Sequence, residues 1–269
     1  MHIQTVNKSQ EQLGKVTPSL MENVSIIIPA FNEEKRIGQT ISDLINNAPE
    51  ILEIIVIFDG TDQTEKIAVE AGKNVKVIRF SQRLGQGGAV FEGFKHAKGD
   101  VVCFIDADGA TPWYEIIRIC SLVNKNRPVV YGSRWVQGSK IGRKENIRNI
   151  VGGRIYHYLA LAILGVHEKD SFCGLKAFDR VVALKLAKRV TLSDRTFNIA
   201  ISYNLKLMGI RISEVGVEWF HKDGTKLHVG LKVIIMMFLT LIGLRIVHCV
   251  NCKKLKQFVV NFRTKIHFY

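Results

Sequence analysis

The chain has 269 residues, of which 47% are hydrophobic, and its formal net charge at pH 7 is +14. This length suffices for one large α/β domain, or for a core with an appendage, and the composition excludes a multi-span membrane protein. The positive charge indicates an anionic partner: a nucleotide, a phosphate, a nucleic acid or an acidic membrane surface. The five cysteines are an odd number, which argues against a disulfide framework and favours a reducing compartment.

The two ends of the chain differ in character from its middle. Residues 1–22 are polar, with no apolar segment typical of a signal peptide, and we interpret them as a flexible arm before a domain at 23–228. Residues 229–269 are basic and apolar, and we expect them to associate with a membrane. A helix at 229–250 is interpreted as interfacial, because its uncharged part, 233–244, is shorter than the roughly 20 residues of a bilayer span. A core helix and a tilted span are the alternatives.

Strand and helix patterns alternate along the first half of the chain. In chain order, the predicted elements are strand 24–29, helix 33–47, strand 53–58, helix 62–72, strand 75–80, helix 85–97, strand 100–105, helix 113–124 and strand 129–132. This alternation predicts an α/β fold, with a mostly parallel sheet covered by helices on both faces. The second half is less regular, with predicted helix 146–164, strand 173–178, helices 179–188 and 197–208, strand 211–217 and helix 229–250.

Polar clusters follow four of the predicted strands, at residues 32–34, 59–62, 106–108 and 133–134. In open α/β sheets, ligands bind beyond the carboxyl ends of the strands. The sequence therefore predicts that these clusters meet at one edge of the sheet and form a ligand site there.

Two carboxylates, Asp106 and Asp108, directly follow an apolar strand with one small residue between them. Both can reach one hard cation, and Mg²⁺ or Mn²⁺ held by few carboxylates keeps positions open for a diphosphate. The competing interpretation is a turn with two solvated aspartates.

Three further segments suit a nucleotide. Asp59 can accept hydrogen bonds from a base, although an Asx-type turn is the alternative. Phe31 can flank a base and Glu33 can bind a ribose, unless this segment only caps the next helix. The glycines after Gly85 open a helix, where backbone N–H groups can approach an anion or a sugar.

Taken together, the segments VSIIIPAFNEEKRIG, FDGTDQT, RLGQGGAV, FIDADGATP and YGSR resemble the family 2 glycosyltransferases of the GT-A fold. Within that family, the chain is similar to dolichyl-phosphate glucosyltransferases and dolichol-phosphate mannose synthases, over about residues 23–228. Ala110, in place of a glutamine usual in the mannosyl branch, favours the glucosyl branch, as do DSFCGLKAF and EVGVEWFHKDGTKL.

The resemblance implies roles by position. Asp106 and Asp108 would hold Mg²⁺ or Mn²⁺ and the diphosphate, with Asp108 the more direct ligand. Catalytic roles fall to three residues: Asp108, Arg134 and Asp170. The residues expected to bind the donor or the phosphates of donor and acceptor are Pro29, Phe31, Glu33, Asp59, Arg83, Gln86, Asp106, Arg148, Lys176 and Lys226. Asp170 would orient the acceptor or act as a base, with a structural salt bridge or a helix cap as the alternative.

The chain departs from the family pattern at four places. Phe58 stands where the family usually has the first of two aspartates, and Gln86 stands where it usually has a lysine. Phe172 replaces a glutamine, and Ala200 leaves the F-D-x-E element without its acid. These changes affect the donor side of the predicted site and leave Asp59, Asp106 and Asp108 in place.

The implied function is inverting transfer of a hexose, with glucose from UDP-glucose favoured, onto a polyprenyl or dolichyl phosphate at the cytoplasmic face of a membrane. A mannose synthase-like enzyme using GDP-mannose shares almost every motif. A non-catalytic relative that binds nucleotide or lipid is a second alternative. A nucleic-acid-binding protein is a third, suggested by the charge of +14 but unsupported by any helix-turn-helix, RNA-recognition or zinc pattern.

Overall fold

The computed structural model describes residues 23–143, 147–190, 196–222 and 231–249. Its strands are β1 Val24–Ala30, β2 Glu53–Phe58, β3 Val75–Arg79, β4 Val101–Phe104, β5 Val129–Ser133, β6 Lys140–Arg143, β7 Lys176–Asp179, β8 Ser213–Gly216 and β9 Glu218–Phe220. Its helices are α1 Ile37–Asn47, α2 Thr64–Glu70, α3 Gly85–His96, α4 Trp113–Ser121, α5 Ile147–Leu164, α6 Arg180–Arg189, α7 Phe197–Leu207 and α8 Leu231–Cys249.

Seven strands form one sheet in the order β3-β2-β1-β4-β7-β5-β8. Every neighbouring pair is parallel except the two that involve β7, which runs antiparallel to both β4 and β5. The mostly parallel sheet predicted from the alternating pattern is confirmed. It brings the carboxyl ends of β1, β2 and β4 to one edge.

Side chains alternate between two hydrophobic layers, one on each face of the sheet. On β1, Ile27 faces the layer built with α3, α5, α6, α7 and α8, whereas Ile26 and Ile28 face the layer built with α1, α2 and α4. All three isoleucines are fully buried, which explains why the strand reads as a continuous apolar run. Helices therefore cover both faces, as predicted.

α7 is buried along nearly its whole length, from Phe197 to Leu205. Residues on all sides of this stretch are buried, as expected of a helix inside a large core. It carries three buried polar side chains, Asn198, Ser202 and Asn204. Of these, Asn198 faces the sheet and accepts a hydrogen bond from Lys176 on β7.

A second, two-stranded sheet pairs β6 with β9 in parallel. The sequence pattern did not predict either strand, because each has only three or four residues and Gly142 interrupts the first. The pairing places the segment after β5 beside the segment after β8, and Lys140 N donates to Val217 O at 3.1 Å. Both segments flank the candidate site.

α8 packs with one face against α5 and the main core. Leu241 and Leu244 are buried there, and Tyr156 Oη donates to Met237 O at 3.2 Å. On the other face Phe238 and Leu239 remain 41% and 40% exposed. Within the described part of the chain, no helix combines the length and apolar character needed to span a bilayer.

Candidate functional site

The edge predicted from the sequence exists, and it brings the first three polar clusters together. Parallel pairing continues past the strand ends, because Asp59 N donates to Ala30 O at 3.3 Å and Ile105 N donates to Ile27 O at 3.0 Å. The loops after β1, β2 and β4 therefore leave the sheet side by side. Asp106 begins the last of them and Asp59 the second.

Asp106 and Asp108 lie within electrostatic reach of each other. Burial, together with the nearby Asp108 charge, raises the pKa of Asp106 from 3.8 to about 6, against the lowering influence of Lys176 and Arg134. Asp108 closes a local turn in which its Oδ1 accepts from Ala110 N at 2.9 Å. The turn is thus real, as the competing interpretation held, but the two carboxylates are not both solvated, because Asp106 is partly buried.

Asp106 is held from two sides by the chain. Gln86 Nε2 on α3 donates to its Oδ1 at 2.9 Å, so the residue that replaces the usual lysine contacts the predicted metal carboxylate with a neutral amide. On the opposite side, a Cβ placed on Gly174 would overlap the Asp106 carboxyl group. Glycine is therefore required at 174 by close approach and not by backbone conformation.

Lys176 lies beneath the site instead of at its surface. Its side chain is fully buried, and its Nζ donates to Cys173 O at 2.5 Å and to Asn198 Oδ1 at 2.7 Å. It also lies 4.9 Å from the centre of the Tyr131 ring. Burial lowers its pKa from 10.5 to about 8. Lys176, expected among the residues that bind the donor or the phosphates, donates here to Cys173 O in the loop before β7 and to Asn198 on α7, and its contact with donor or phosphate stays a prediction.

Asp59 links β2 to the start of α3. Its Oδ2 accepts from Leu84 N at 2.8 Å and Gly85 N at 3.2 Å, and its Oδ1 accepts from the Arg83 guanidinium. Gly85 has a φ of +72°, which lets the chain turn sharply into the helix. Asp59 therefore sits at a helix N-terminus, where a carboxylate is stabilised. Its predicted role in reading a base stays a prediction.

Arg83 also covers Phe31. Its Cζ lies 3.5 Å from the centre of the Phe31 ring, so one face of that ring is occupied by a guanidinium group. The arrangement puts a cation between the first and second loops, beside Asp59. Arg83, expected from the resemblance to bind the donor or the phosphates, is thus a structural partner of two other predicted nucleotide residues, and its own ligand contact stays a prediction.

The loop after β1 both starts α1 and joins the loop after β2. Glu33 O accepts from Arg36 N at 2.9 Å and Ile37 N at 3.0 Å, which begins the helix, and Glu33 N donates to Thr64 Oγ1 at 2.8 Å. The Glu33 carboxylate accepts from Arg36 Nε at 2.7 Å. Pro29 is the partly exposed residue of β1 and lies just before this loop. The competing explanation, side-chain capping of α1 by this segment, is not observed, because the N-cap residue is Arg36 and no side chain among the described residues caps the helix.

Arg134 and Asp170 form a bidentate ion pair. Arg134 Nε donates to Asp170 Oδ2 at 2.8 Å, Nη2 donates to Oδ1 at 2.9 Å, and the Arg134 backbone N donates to Oδ2 at 2.8 Å. The Asp170 side chain is 2% exposed. The salt-bridge alternative for Asp170 is thus the one observed, and a carboxylate held by three donors is poorly placed to serve as a base.

Several residues around the site carried no predicted role. Glu214 accepts from the backbone of Lys169 and Asp170, and Trp219 lies under the Arg134 guanidinium. Both belong to the EVGVEWF segment. The sequence showed that this segment resembles the family but could not show which residues it contacts. Gly174 and Asn198 are the other two, and only tertiary packing shows what they touch.

Two predicted residues fall outside this description. Lys226 lies outside the described residues, and so does the side chain of Arg148, whose backbone is part of α5. The charged candidates around Asp106 form an acidic group and a basic group. Glu33, Asp106 and Asp108 interact electrostatically at the acidic end, and Arg134 acts on Asp106 from the basic side.

Asp106 and Asp108 fit a hard divalent cation. Among the described residues, no group of three or more His, Cys, Asp or Glu side chains is arranged to hold a metal. Mg²⁺ is nevertheless commonly bound by one or two carboxylates together with substrate phosphates. A cation would also relieve the repulsion between the two carboxylates, which adds to the effect of burial in raising the pKa of Asp106. The donor set therefore suits a metal that arrives with a diphosphate.

One protein-family model matches more than half of the chain. The model of the family described as Glycosyl transferase family 2 matches residues 25–186, which cover the strands from β1 to β7 and the whole acidic end of the site. The match agrees with the segments that suggested this family in the sequence.

Curated relatives carry one recurring name. A dolichyl-phosphate beta-glucosyltransferase of Dictyostelium discoideum is 30% identical over 239 residues, with 78% of this chain and 72% of the relative covered. Proteins of the same name from Saccharomyces cerevisiae and Homo sapiens are 28% and 26% identical, over 86% and 81% of this chain and 79% and 74% of their own.

Solved structures share the fold at lower sequence identity. A crystal structure of glucosyl-3-phosphoglycerate synthase from Mycobacterium tuberculosis is 20% identical, with a TM-score of 0.60 over 86% of this chain and 82% of that chain. Another structure of that synthase, described as a complex with Mg²⁺ and uridine-diphosphate, has a TM-score of 0.61 at 20% identity over 87% and 83% of the two chains. The predicted GT-A type of α/β fold is confirmed.

Proposed function

Because the chain belongs to glycosyl transferase family 2, we propose that it transfers glucose from UDP-glucose to a polyprenyl phosphate of the dolichyl type. The observation that carries the proposal is the pairing of opposite charges at one sheet edge, where Asp106 interacts with Asp108 and Glu33 on one side and with Arg134 on the other. Such a site suits two anionic substrates that must approach each other.

The names of the relatives support the acceptor and the sugar. The Dictyostelium discoideum, Saccharomyces cerevisiae and Homo sapiens proteins are all called dolichyl-phosphate beta-glucosyltransferases. A structural neighbour described as a complex with Mn²⁺, UDP-glucose and phosphoglyceric acid supports a donor of the same kind and an acceptor that also carries a phosphate. Both inferences are made by similarity.

In the proposed reaction, the protein mainly has to position the two substrates and stabilise their negative charges. The nucleophile is a phosphate oxygen of the lipid, already ionised near neutral pH, so no strong general base is needed. This agrees with the engagement of Asp170 by Arg134. The main tasks are to hold two anions together and to stabilise the departing diphosphate.

Each side of the site performs one of these tasks in the proposed scheme. A divalent cation bound by Asp106 and Asp108 would neutralise charge on the leaving nucleoside diphosphate. Arg134 draws the acceptor phosphate to the basic side through charge-assisted hydrogen bonds. Asp59 and the loop after β1 hold the nucleotide. Attack opposite the leaving group inverts the anomeric centre, so an α-linked donor gives a β-linked product.

We also propose that the enzyme works at the cytoplasmic face of a membrane, where the lipid acceptor resides. The support is the one-sided packing of α8, which leaves Phe238 and Leu239 exposed. The acid-free sequence after Asp223 adds positive charge near it. Cations close to anionic headgroups contribute about 1 kcal/mol each to membrane binding.

A donor screen tests the proposal. Purified protein is incubated with a short polyprenyl phosphate and either UDP-glucose or GDP-mannose, with Mg²⁺ or with EDTA. We expect glucolipid from UDP-glucose only in the presence of Mg²⁺, and loss of turnover in Asp108→Asn with folding intact. Turnover with GDP-mannose alone would establish the mannosyl alternative. A folded wild-type protein that binds UDP but turns over neither donor would establish the non-catalytic one.

A further inference from the structure

The EVGVEWF segment matches the family, yet none of the roles above accounts for it. Its first residue, Glu214, lies on β8 and pairs in register with Tyr131 of β5. Both oxygens of the Glu214 carboxylate accept hydrogen bonds from the backbone of a neighbouring loop. Its Oε2 accepts from Lys169 N at 2.8 Å, and its Oε1 accepts from Asp170 N at 2.9 Å. One side chain thus fixes two consecutive peptide groups.

The residue so fixed is the one that holds Arg134. Asp170 is 3% exposed, and its two carboxylate oxygens accept the Nε, Nη2 and backbone N–H groups of Arg134. Because three donors from one residue share this carboxylate, a shift of the Asp170 backbone must move the guanidinium. The fork geometry of arginine makes such a pair sensitive to small displacements.

The same segment also supports Arg134 from a second direction. Trp219, five residues after Glu214, lies on β9, and the Arg134 Cζ is 5.1 Å from the centre of its ring. A guanidinium over an indole gains favourable electrostatic energy and loses freedom to rotate. β8 and β9 therefore contact Arg134 directly through Trp219 and indirectly through Glu214.

We propose that Glu214 is a positioning residue for Arg134, and that with Trp219 it fixes the direction in which the guanidinium meets the acceptor phosphate. The inference rests on the proposed function in one respect, namely that Arg134 binds a phosphate anion. It assigns a purpose to two residues of the EVGVEWF segment: Glu214 and Trp219 set the affinity for the acceptor phosphate through Arg134.

Glu214→Gln is the variant that tests this. Glutamine keeps the size of the side chain, but its oxygen can replace only one of the two carboxylate oxygens, and its NH₂ group then faces the N–H that bonded to the other. Glu218→Gln is the matched control. Glu218 belongs to the same segment and accepts from Tyr114 Oη at 2.8 Å, a bond that an amide oxygen can keep.

Binding is measured at equilibrium with two probes, geranyl phosphate for the acceptor side and UDP with Mg²⁺ for the donor side. We expect Glu214→Gln to raise the Kd for geranyl phosphate about tenfold, since small misplacements of a clamp are costly. The Kd for UDP should change less than about twofold, and Glu218→Gln should behave as wild type. In an Arg134→Ala background, Glu214→Gln should add less than about twofold, because it acts through that arginine.

An unchanged Kd for geranyl phosphate in Glu214→Gln would overturn the inference, and so would an equal loss of UDP binding. If the wild-type protein does not bind geranyl phosphate at all, the proposed acceptor is wrong, and a ligand-independent measurement decides on Glu214. The Arg134 Nε–H resonance should exchange slowly with water in wild type and Glu218→Gln and at least about tenfold faster in Glu214→Gln. Equal exchange in all three would overturn the positioning role.

Discussion

Gly174 shows how one missing side chain shapes the acidic end of the site. A Cβ at this position would meet the carboxyl group of Asp106, which is already held by Gln86 on its other side. We predict that Gly174→Ala lowers turnover at least about 100-fold by displacing Asp106. The free energy of unfolding should fall by only about 1–3 kcal/mol, as for other overpacked sites.

Gly153→Ala is the matched control for this substitution. Gly153 lies in α5 with open space where a Cβ would be, so alanine should stabilise the helix slightly and leave turnover unchanged. Turnover and urea unfolding are measured for both variants. Full activity in Gly174→Ala would show that Asp106 is not constrained as the contacts indicate.

Lys176 makes the stability of the fold depend on pH. Its pKa is lowered from 10.5 to about 8 by burial, so between these pH values the unfolded chain binds a proton that the folded chain does not. Titration of Lys176 therefore increases the free energy of unfolding as pH rises through that window. Below pH 8, the buried charge reduces stability.

Lys176→Met removes this dependence and tests it. The variant removes the donor to Cys173 O and Asn198 Oδ1, so the pH dependence is the diagnostic quantity. The stability of the variant relative to wild type should fall by up to about 3 kcal/mol between pH 8 and 10.5. Urea unfolding at several pH values measures it, with Lys185→Met on the exposed side of α6 as the control. A difference that stays constant with pH would mean that Lys176 titrates normally in the folded state.

The sequence predicted which polar residues share the sheet edge, and it could not predict their partners. Asp59 and Asp106 follow apolar strands, and strand order alone brings them together. That Asp59 would bind the first amides of α3 depends on the path of the loop between β3 and α3. That Lys176 would be enclosed depends on α7, a helix distant in sequence that supplies Asn198.

At the scale of elements, α8 has two faces with different tasks. Leu241 and Leu244 are buried in the core layer, whereas Phe238 and Leu239 are exposed. The apolar run predicted the helix, and its length argued against a span. The sequence could not predict which residues of α8 pack against the core, because the run is apolar on all sides. The buried face is the one that contacts α5.

We predict that the double substitution Phe238→Ser and Leu239→Ser weakens binding to anionic vesicles and leaves the fold intact. Each exposed side chain that no longer enters the lipid loses roughly 1–3 kcal/mol of burial. Leu241→Ala is the contrasting variant and should cost about 2–5 kcal/mol of folding stability instead. Vesicle sedimentation and thermal unfolding separate the two effects. If the serine variant sediments with vesicles as wild type does, this face of α8 does not contact the membrane.

The small β6–β9 sheet is the element that sequence patterns missed. Strands of three or four residues are too short to show a recognisable alternation of apolar and polar residues. The pairing also joins segments that are far apart in the chain. Its consequence lies at the candidate site, since it brings Trp219 to Arg134. Short irregular elements beside a site are thus where tertiary structure adds most to a prediction made from motifs.

At the scale of the molecule, the sheet separates the two charges that the proposed reaction needs. The acidic end lies after β1, β2 and β4, and the basic side lies after β5 with Arg134. β7 runs antiparallel between β4 and β5, and Lys176 on it lies beneath both. The fold class and the acidic end followed from the alternating pattern and the motifs. On the basic side, the motifs predicted Arg134 and Asp170 but not their geometry, because it depends on β8, β9 and the ion pair between these two residues.

The central claim is that Asp106 and Asp108 bind a divalent cation together with the nucleoside diphosphate. Anomalous diffraction from crystals grown with Mn²⁺ and UDP tests it directly. The account predicts one strong Mn²⁺ peak between Asp108 and the diphosphate, with the uracil beside Asp59, and loss of that peak in Asp108→Asn. UDP bound at full occupancy elsewhere, or at this edge with no Mn²⁺ near either aspartate, would contradict it.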